Sequence, residues 1–488
     1  MRDKIRRHLG SLLGARPVEG EALRVLRAKT AGPASQQKSI AIPAEFTAHQ
    51  YIILLLSVAA EIEHALMIEY LYAAFSLGGP LVPVERRAEV SQWQETILGI
   101  AKEEMGHLLT VQNLLRCLGG PLNLDREDYP WDSDFYPFRF QLQPLTRKSL
   151  AKYVFAESPA PEDWHGEEAN EIRRLAQEEV GENEPVHRVG ALYSLIEELL
   201  NTPDAIKDSD FRGSTFPFQA NWDEWGRGYK AGARGNLTGG SMRGTPNLII
   251  TPVVARTDAV AALQAVATQG EANTSDSDTA PSHFARFLKI FRQFPKDETW
   301  VPTRNVPNNP YVTTDPNGGD AAVNQNGTPI TDPAAMLWGH LFNVRYRLLL
   351  TNLLHCFEYP SNLAMVSQST PRGLLIHATF GEMYNIRAIA QILVQTPLGP
   401  KDKERMAGPP FQVPYTLKLP VGVEDRWRLH LDLLESSTEL AEQLLCLEGD
   451  RQRPYLLSLK AVDDQTSNSI ETILARHSSE VRCPDDQI

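Results

Sequence analysis

Apolar residues recur at helical spacing over much of the chain, and the breaks between these runs outline its organisation. Leu56, Ala59, Leu66, Tyr70, Ala73 and Leu77 share one face of a helix predicted from about Thr47 to Leu77. Ile97, Ile100, Ala101, Leu108, Val111 and Leu115 do the same from about Glu85 to Leu118, and both helices stop at a Gly-Gly-Pro sequence. A third helix is predicted from Pro185, with Val189, Leu192, Tyr193, Ile196, Leu199 and Leu200 as its stripe. Asp258 caps a fourth, which runs to Gly270-Glu271, meets the polar stretch 273–281 and resumes amphipathically at Ser282–Phe294. A short helix from Thr146 to Phe155 and three longer ones at about Pro333–Glu358, Pro371–Val394 and Val423–Leu447 complete the pattern. The predicted class is mainly α: a four-helix bundle over 46–295, with additional helices over 333–450 packed on it. Around these lie an N-terminal extension (1–45), an irregular insertion with hairpin or short-sheet character (203–256), a coil or lid (296–332) and a polar C-terminal tail (451–488).

Composition narrows the class of function more than the fold. The 488 residues are 42% hydrophobic and 22% charged, ordinary for a chain that builds a large core. A net charge of −13 and the lack of a basic face argue against a nucleic-acid partner. No run approaches the ~18 uninterrupted apolar residues of a membrane span, so no membrane partner is expected. The amphipathic N-terminus lacks the apolar core of a signal peptide, and Cys117, Cys356, Cys446 and Cys483 have no CxxC spacing. Cytoplasm is the expected compartment; association with further copies of the chain is left open.

Two of the apolar stripes carry acids, which is where chemistry enters. Glu63 stands on the first, and Glu104 and His107 stand on the second in a Glu-x-x-His spacing. Burying a carboxylate without a partner is costly. A lone Glu-x-x-His is commonly a solvated helix face; here the register places it inward, while Glu61, Glu69, Glu95 and Glu103 fall toward the edges or outside. A Glu on one helix and Glu-x-x-His on its neighbour is half the ligand set of a di-metal four-helix bundle, which uses about four carboxylates and two imidazoles. Helix three offers Glu197, one step around from Ile196, with Glu198 pointing away. Helix four offers Glu271 and His283. On one straight helix these would stand roughly 18 Å apart, so both reach a metal only if 272–281 loops out. Tyr70 and Tyr193 also face inward, as catalytic donors or radical relays in one reading and as core aromatics with satisfied hydroxyls in the other.

The stretches Glu61–Ala74 and Ile100–His107 resemble ferritin-like di-iron proteins. Val189–Ile196, Gln269-Gly-Glu271, Ser282–Phe287 and Ala407–Phe411 are more specific, and resemble the ferritin-like domain of iminophenylpyruvate dimer synthases, which couple oxidised tryptophan imines in bisindole pathways. The likeness spans roughly residues 45–415. It implies a ferritin-like four-helix bundle and a non-haem iron site with Glu63, Glu104, His107, Glu271 and His283 among its ligands. It also implies dioxygen or peroxide chemistry in secondary metabolism. Departures are clear: no motif fixes the helix-three carboxylate, and the known synthases are much longer.

Oxygen and imidazole donors suit iron or manganese. Two non-haem iron ions with O2 or H2O2, acting on a small, aromatic amino-acid-derived substrate, is the leading expectation for an oxidoreductase. The aromatic content of the long irregular segments agrees with such a substrate. A manganese-catalase-like peroxide dismutase would use the same ligands, and a metal-free ferritin-like scaffold would keep the same bundle.

Overall fold

In the computed structural model, residues 42–126, 137–181, 186–202, 204–226, 248–271, 281–296, 300–313, 327–361, 370–413, 418–447 and 451–481 are described. Twelve α-helices lie in these residues. The first two, α1 (Ala48–Ser76) and α2 (Arg87–Cys117), are long, antiparallel neighbours and form one half of a four-helix bundle. Thr47 caps α1 through a reciprocal bond with Gln50, as the sequence pattern indicates. Although α1 is long and apolar enough to cross a membrane, with a mean hydropathy of 1.8 over its most apolar stretch, 83% of that stretch is buried inside the protein. Here it is the central core helix.

The other half consists of α5 (Gly190–Leu200) and the pair α7 (Arg256–Glu271) and α8 (His283–Gln293). Helix α5 begins five residues later than Pro185, which lies outside the described residues. Upstream, the N–H groups of His187 and Val189 are drawn to Pro137 and Ala156 instead of starting a helical ladder. The fourth helix is divided, as its polar interruption predicts. Its second part starts afresh, with the Ser282 side chain accepting from the Ala285 N–H; the interruption at 272–280 is outside the described residues. A hairpin of α3 (Arg147–Ala156) and α4 (Glu167–Val180) packs beside the bundle, α3 resting on α8. Helix α4 has no counterpart in the sequence reading.

The insertion contains the one-turn helix α6 (Trp222–Trp225), and Leu248–Val253 runs irregularly, without a strand. Its backbone lies directly on α2, where Gly106 makes room: a Cβ there would stand 3.0 Å from the Ile249 carbonyl. Thr110 then donates to that carbonyl at 3.0 Å. The strands occur elsewhere, as β1 (Pro310–Tyr311) with β2 (Thr328–Pro329) and β3 (Pro397–Gly399) with β4 (Asp402–Met406).

Helices α9 (Pro333–Cys356), α10 (Pro371–Leu393) and α11 (Val423–Leu447) match the predicted C-terminal elements. The expected polar tail is instead the 29-residue helix α12 (Arg453–Val481), docked on α11. Its anchor is Asp463, buried against the fully buried Arg345 of α9, which also bonds Glu382 of α10 (3.1 Å) and Ser437 of α11. One guanidinium thus joins all four helices.

Candidate metal centre

Glu63 projects from the middle of α1 and is 2% exposed; Glu104 and His107 project from α2 at 2% and 3%. Their spacing on two facing stripes brings them into contact. His107 Nδ1 lies 2.8 Å from Glu104 Oε2 and 3.5 Å from Glu63 Oε2. Helix α8 begins at His283, so its capped first turn aims that imidazole into the same space. His283 Nδ1 is 2.8 Å from Glu104 Oε1, and the two imidazole rings stack 5.3 Å apart. Glu104 therefore faces one histidine with each oxygen.

The third carboxylate comes from outside the four bundle helices. Glu157, the residue that ends α3, is buried, with Oε2 3.8 Å from His283 Nδ1. The signal was present: Leu150, Tyr153, Val154 and Glu157 repeat the pattern of an apolar stripe bearing one acid. It is Glu157, on α3, that completes the group. Glu197 of α5 instead accepts from Gln264 at 2.6 Å on the outer side, because one step off the stripe of a short helix already reaches solvent. Glu271, the last residue of α7, lies against the backbone of Gly190, where a Cβ would overlap its carboxyl. Its Oε1 is buried without a well-aligned hydrogen bond, and among the described contacts no ion pair joins Glu271 to His107 or His283. Two acids expected near the edge of a stripe or outside it are in fact buried. Glu69 accepts from the Gln141 N–H at 2.7 Å, with the Lys152 ammonium 3.7 Å away, and Glu103 sits behind His283.

Outer partners orient both imidazoles. His107 Nε2 lies 2.8 Å from Gln269 Oε1, and His283 Nε2 lies 3.0 Å from Glu103 Oε2, which Arg286 in turn holds. An acceptor at Nε2 places the proton there in the neutral ring and leaves the Nδ1 lone pair directed inward. The tyrosines hold the carboxylates from the other side: Tyr70 donates to Glu157 Oε1 at 2.5 Å and Tyr193 to Glu63 Oε1. Tyr70 also meets Tyr153 edge-on at 5.0 Å.

Burial and then the charge of Glu104 push the Glu63 carboxyl up to about 7 and that of Glu157 up to about 8. Burial opposes the charge of Glu104 as well, but His283 and His107 together outweigh it and hold this carboxyl well below its ordinary range. His283 rises to about 9 because Glu104 and Glu103 overcome the penalty of burial. A donor set of this kind binds protons in competition with a cation. Fit to a metal follows from what is unsatisfied: Glu104 Oε1 and His283 Nδ1 are buried without a well-aligned hydrogen bond, and buried polar atoms rarely remain so. Donor atoms of Glu104, His107 and His283 all lie within 4.8 Å of one another. Three carboxylates and two imidazoles with no sulfur suit iron or manganese.

The family model described as Ferritin-like matches residues 56–292. Dichlorochromopyrrolate synthase of Lentzea aerocolonigenes is 27% identical over 393 residues, covering 72% of this chain and 35% of that protein. The 2-imino-3-(indol-3-yl)propanoate dimerase of Chromobacterium violaceum is 28% identical over 170 residues, covering 29% of this chain and 15% of that protein. The aligned part of this chain thus spans about a third or less of each relative. A crystal structure of a ferritin-like protein from Caulobacter vibrioides superposes with a TM-score of 0.42 at 15% identity, covering 71% of this chain and 98% of that one. Residues 56–292 are a ferritin-like domain, and the chain that carries it is a homologue of the synthase and the dimerase.

Proposed function

We propose that the protein is a non-haem metal oxidoreductase that holds two iron ions among Glu63, Glu104, His107, Glu157 and His283. Its co-substrate would be dioxygen or peroxide. The observation that carries this reading is the paired imidazoles, each with Nε2 tied to an outer acceptor and Nδ1 directed at Glu104. A scaffold that had lost its metal would have no reason to keep two such oriented rings around a buried carboxylate.

Iron in this environment supplies two-electron chemistry with dioxygen or peroxide. The protein's own residues do the rest. Glu104 shares its two oxygens between the two halves of the site. Glu63 and Glu157 each close one half and are kept in place by the Tyr193 and Tyr70 hydroxyls. Gln269 and the Glu103–Arg286 pair fix the imidazole orientations, and the surrounding apolar residues exclude water. The homology to dichlorochromopyrrolate synthase and to a 2-imino-3-(indol-3-yl)propanoate dimerase supports a small, aromatic amino-acid-derived substrate in secondary metabolism.

Metal analysis of protein purified without chelator tests the reading. About two iron ions per chain are expected, with loss of metal in Glu104→Ala. A protein that takes up no metal after anaerobic incubation with ferrous iron would refute it. A full complement of manganese with peroxide dismutation would replace the oxidase by a catalase-like activity on the same ligands.

A further inference from the structure

A cavity lies a partial turn around α1 and α2 from the metal-ligating faces. It has a volume of about 110 Å³ and opens between these helices and α9 and α10. Phe75, Leu349 and Phe380 form its apolar walls, and Met67, Met105 and Met383 give it flexible, polarizable linings. Ile68 stands five residues after Glu63 and Lys102 two before Glu104. At about 100° per residue, these cavity-lining positions are turned by roughly 140° and roughly 160° from the ligating carboxylates. The cavity is therefore distinct from the metal centre but shares its two helices.

Two cations line it, Lys102 and Arg387. Arg387 pairs with Glu95, both side chains being about half exposed. Lys102 is partly buried and has no carboxylate within ion-pair distance among the described residues. Lysine ammonium groups held against apolar surface normally keep their charge in water or pair it. Here two cations against one carboxylate leave a net positive charge beside an apolar hollow.

We infer that this cavity is a binding site for a small hydrophobic carboxylate, its apolar part in the hollow and its carboxylate on Lys102 with support from Arg387. The volume sets the size of the ligand. A protein cavity of about 150 Å³ takes the six carbons of benzene, so this one of about 110 Å³ takes an apolar part of about four to five carbons, with the carboxylate at its mouth. The inference does not depend on the metal reading, because its test measures binding and needs no turnover.

Sodium hexanoate and the neutral hexanamide would be titrated calorimetrically into the full-length protein as purified, with metal content measured in parallel. Hexanoate should bind, and hexanamide about tenfold more weakly or worse, as expected for loss of one charge-assisted contact. Lys102→Gln should weaken hexanoate by about tenfold and leave hexanamide unchanged. Met383→Trp, which fills the hollow from the partly exposed face of α10, should abolish binding of both. The contrast between hexanoate and hexanamide needs no variant, so a misfolded Met383→Trp does not blunt the test. Absence of hexanoate binding, equal affinity for the two ligands, or undiminished hexanoate binding by Lys102→Gln or by folded Met383→Trp would each overturn the assignment.

Discussion

Glu157 and Glu197 make opposite predictions for what looks like the same substitution. Glu157 is buried, 3.8 Å from His283 Nδ1, and held by the Tyr70 hydroxyl. Glu197 faces outward and accepts from the side chain of Gln264. Replacing either with glutamine preserves shape and removes charge. Structural metal sites in small proteins gain about 10–16 kcal/mol from roughly four ligands, or about 3 kcal/mol per ligand, which is about 100-fold in affinity. Glu157→Gln should therefore weaken metal binding by about two orders of magnitude. Glu197→Gln touches only a surface contact and should change stability by no more than about 0.5 kcal/mol, with unchanged metal content. Plasma mass spectrometry of desalted protein gives the stoichiometry, and competition with a chromophoric chelator gives the affinity. Circular dichroism checks that both variants remain helical. Unchanged metal affinity in Glu157→Gln, or loss of metal in Glu197→Gln, would show that Glu157 is not the third carboxylate and that the reasoning from geometry fails.

Three further outcomes follow from buried groups. Gln269→Ala removes the outer acceptor of His107 and should weaken metal binding by about 10- to 100-fold without unfolding the bundle, measured by the same chelator competition. Arg345→Met leaves Asp463 and Glu382 buried without their cation; it should lower stability by about 3–5 kcal/mol in urea denaturation, with α12 the first segment to gain hydrogen exchange. His355 and His430 are stacked neutral in the C-terminal helices, 3.0 Å apart, and burial lowers His430 to about 4. Because the folded form resists protonation while the unfolded chain accepts it near 6.5, this contribution is intact above about pH 6.5 and is lost as pH falls toward 4. It amounts to roughly 3 kcal/mol, and His430→Gln should flatten the dependence of melting temperature on pH in that window.

The amino-acid sequence by itself determined the long helices and part of the site. Apolar residues at a 3.6-residue period leave few alternatives to a buried helix. An acid inside such a stripe stands out because burying it without compensation is so costly. Glu63, Glu104 and His107 were legible for that reason, and His283 because its helix restart is marked by Ser282 and the turn formers before it. What the sequence could not decide was which acids converge from separate elements. Glu157 and Glu197 each occupy a helix near an apolar stripe; only the packing of α3 on α8 and the shortness of α5 turn one inward and leave the other on the surface. Glu103 read as peripheral because its partners, His283 and Arg286, are some 180 residues away. The C-terminal segment read as a tail for the same reason. Its polar composition hides one buried acid, Asp463, whose role exists only once Arg345 has been brought opposite it. Local periodicity is a property of neighbours along the chain, whereas charge compensation inside a core is a property of neighbours in space, which the tertiary structure alone supplies.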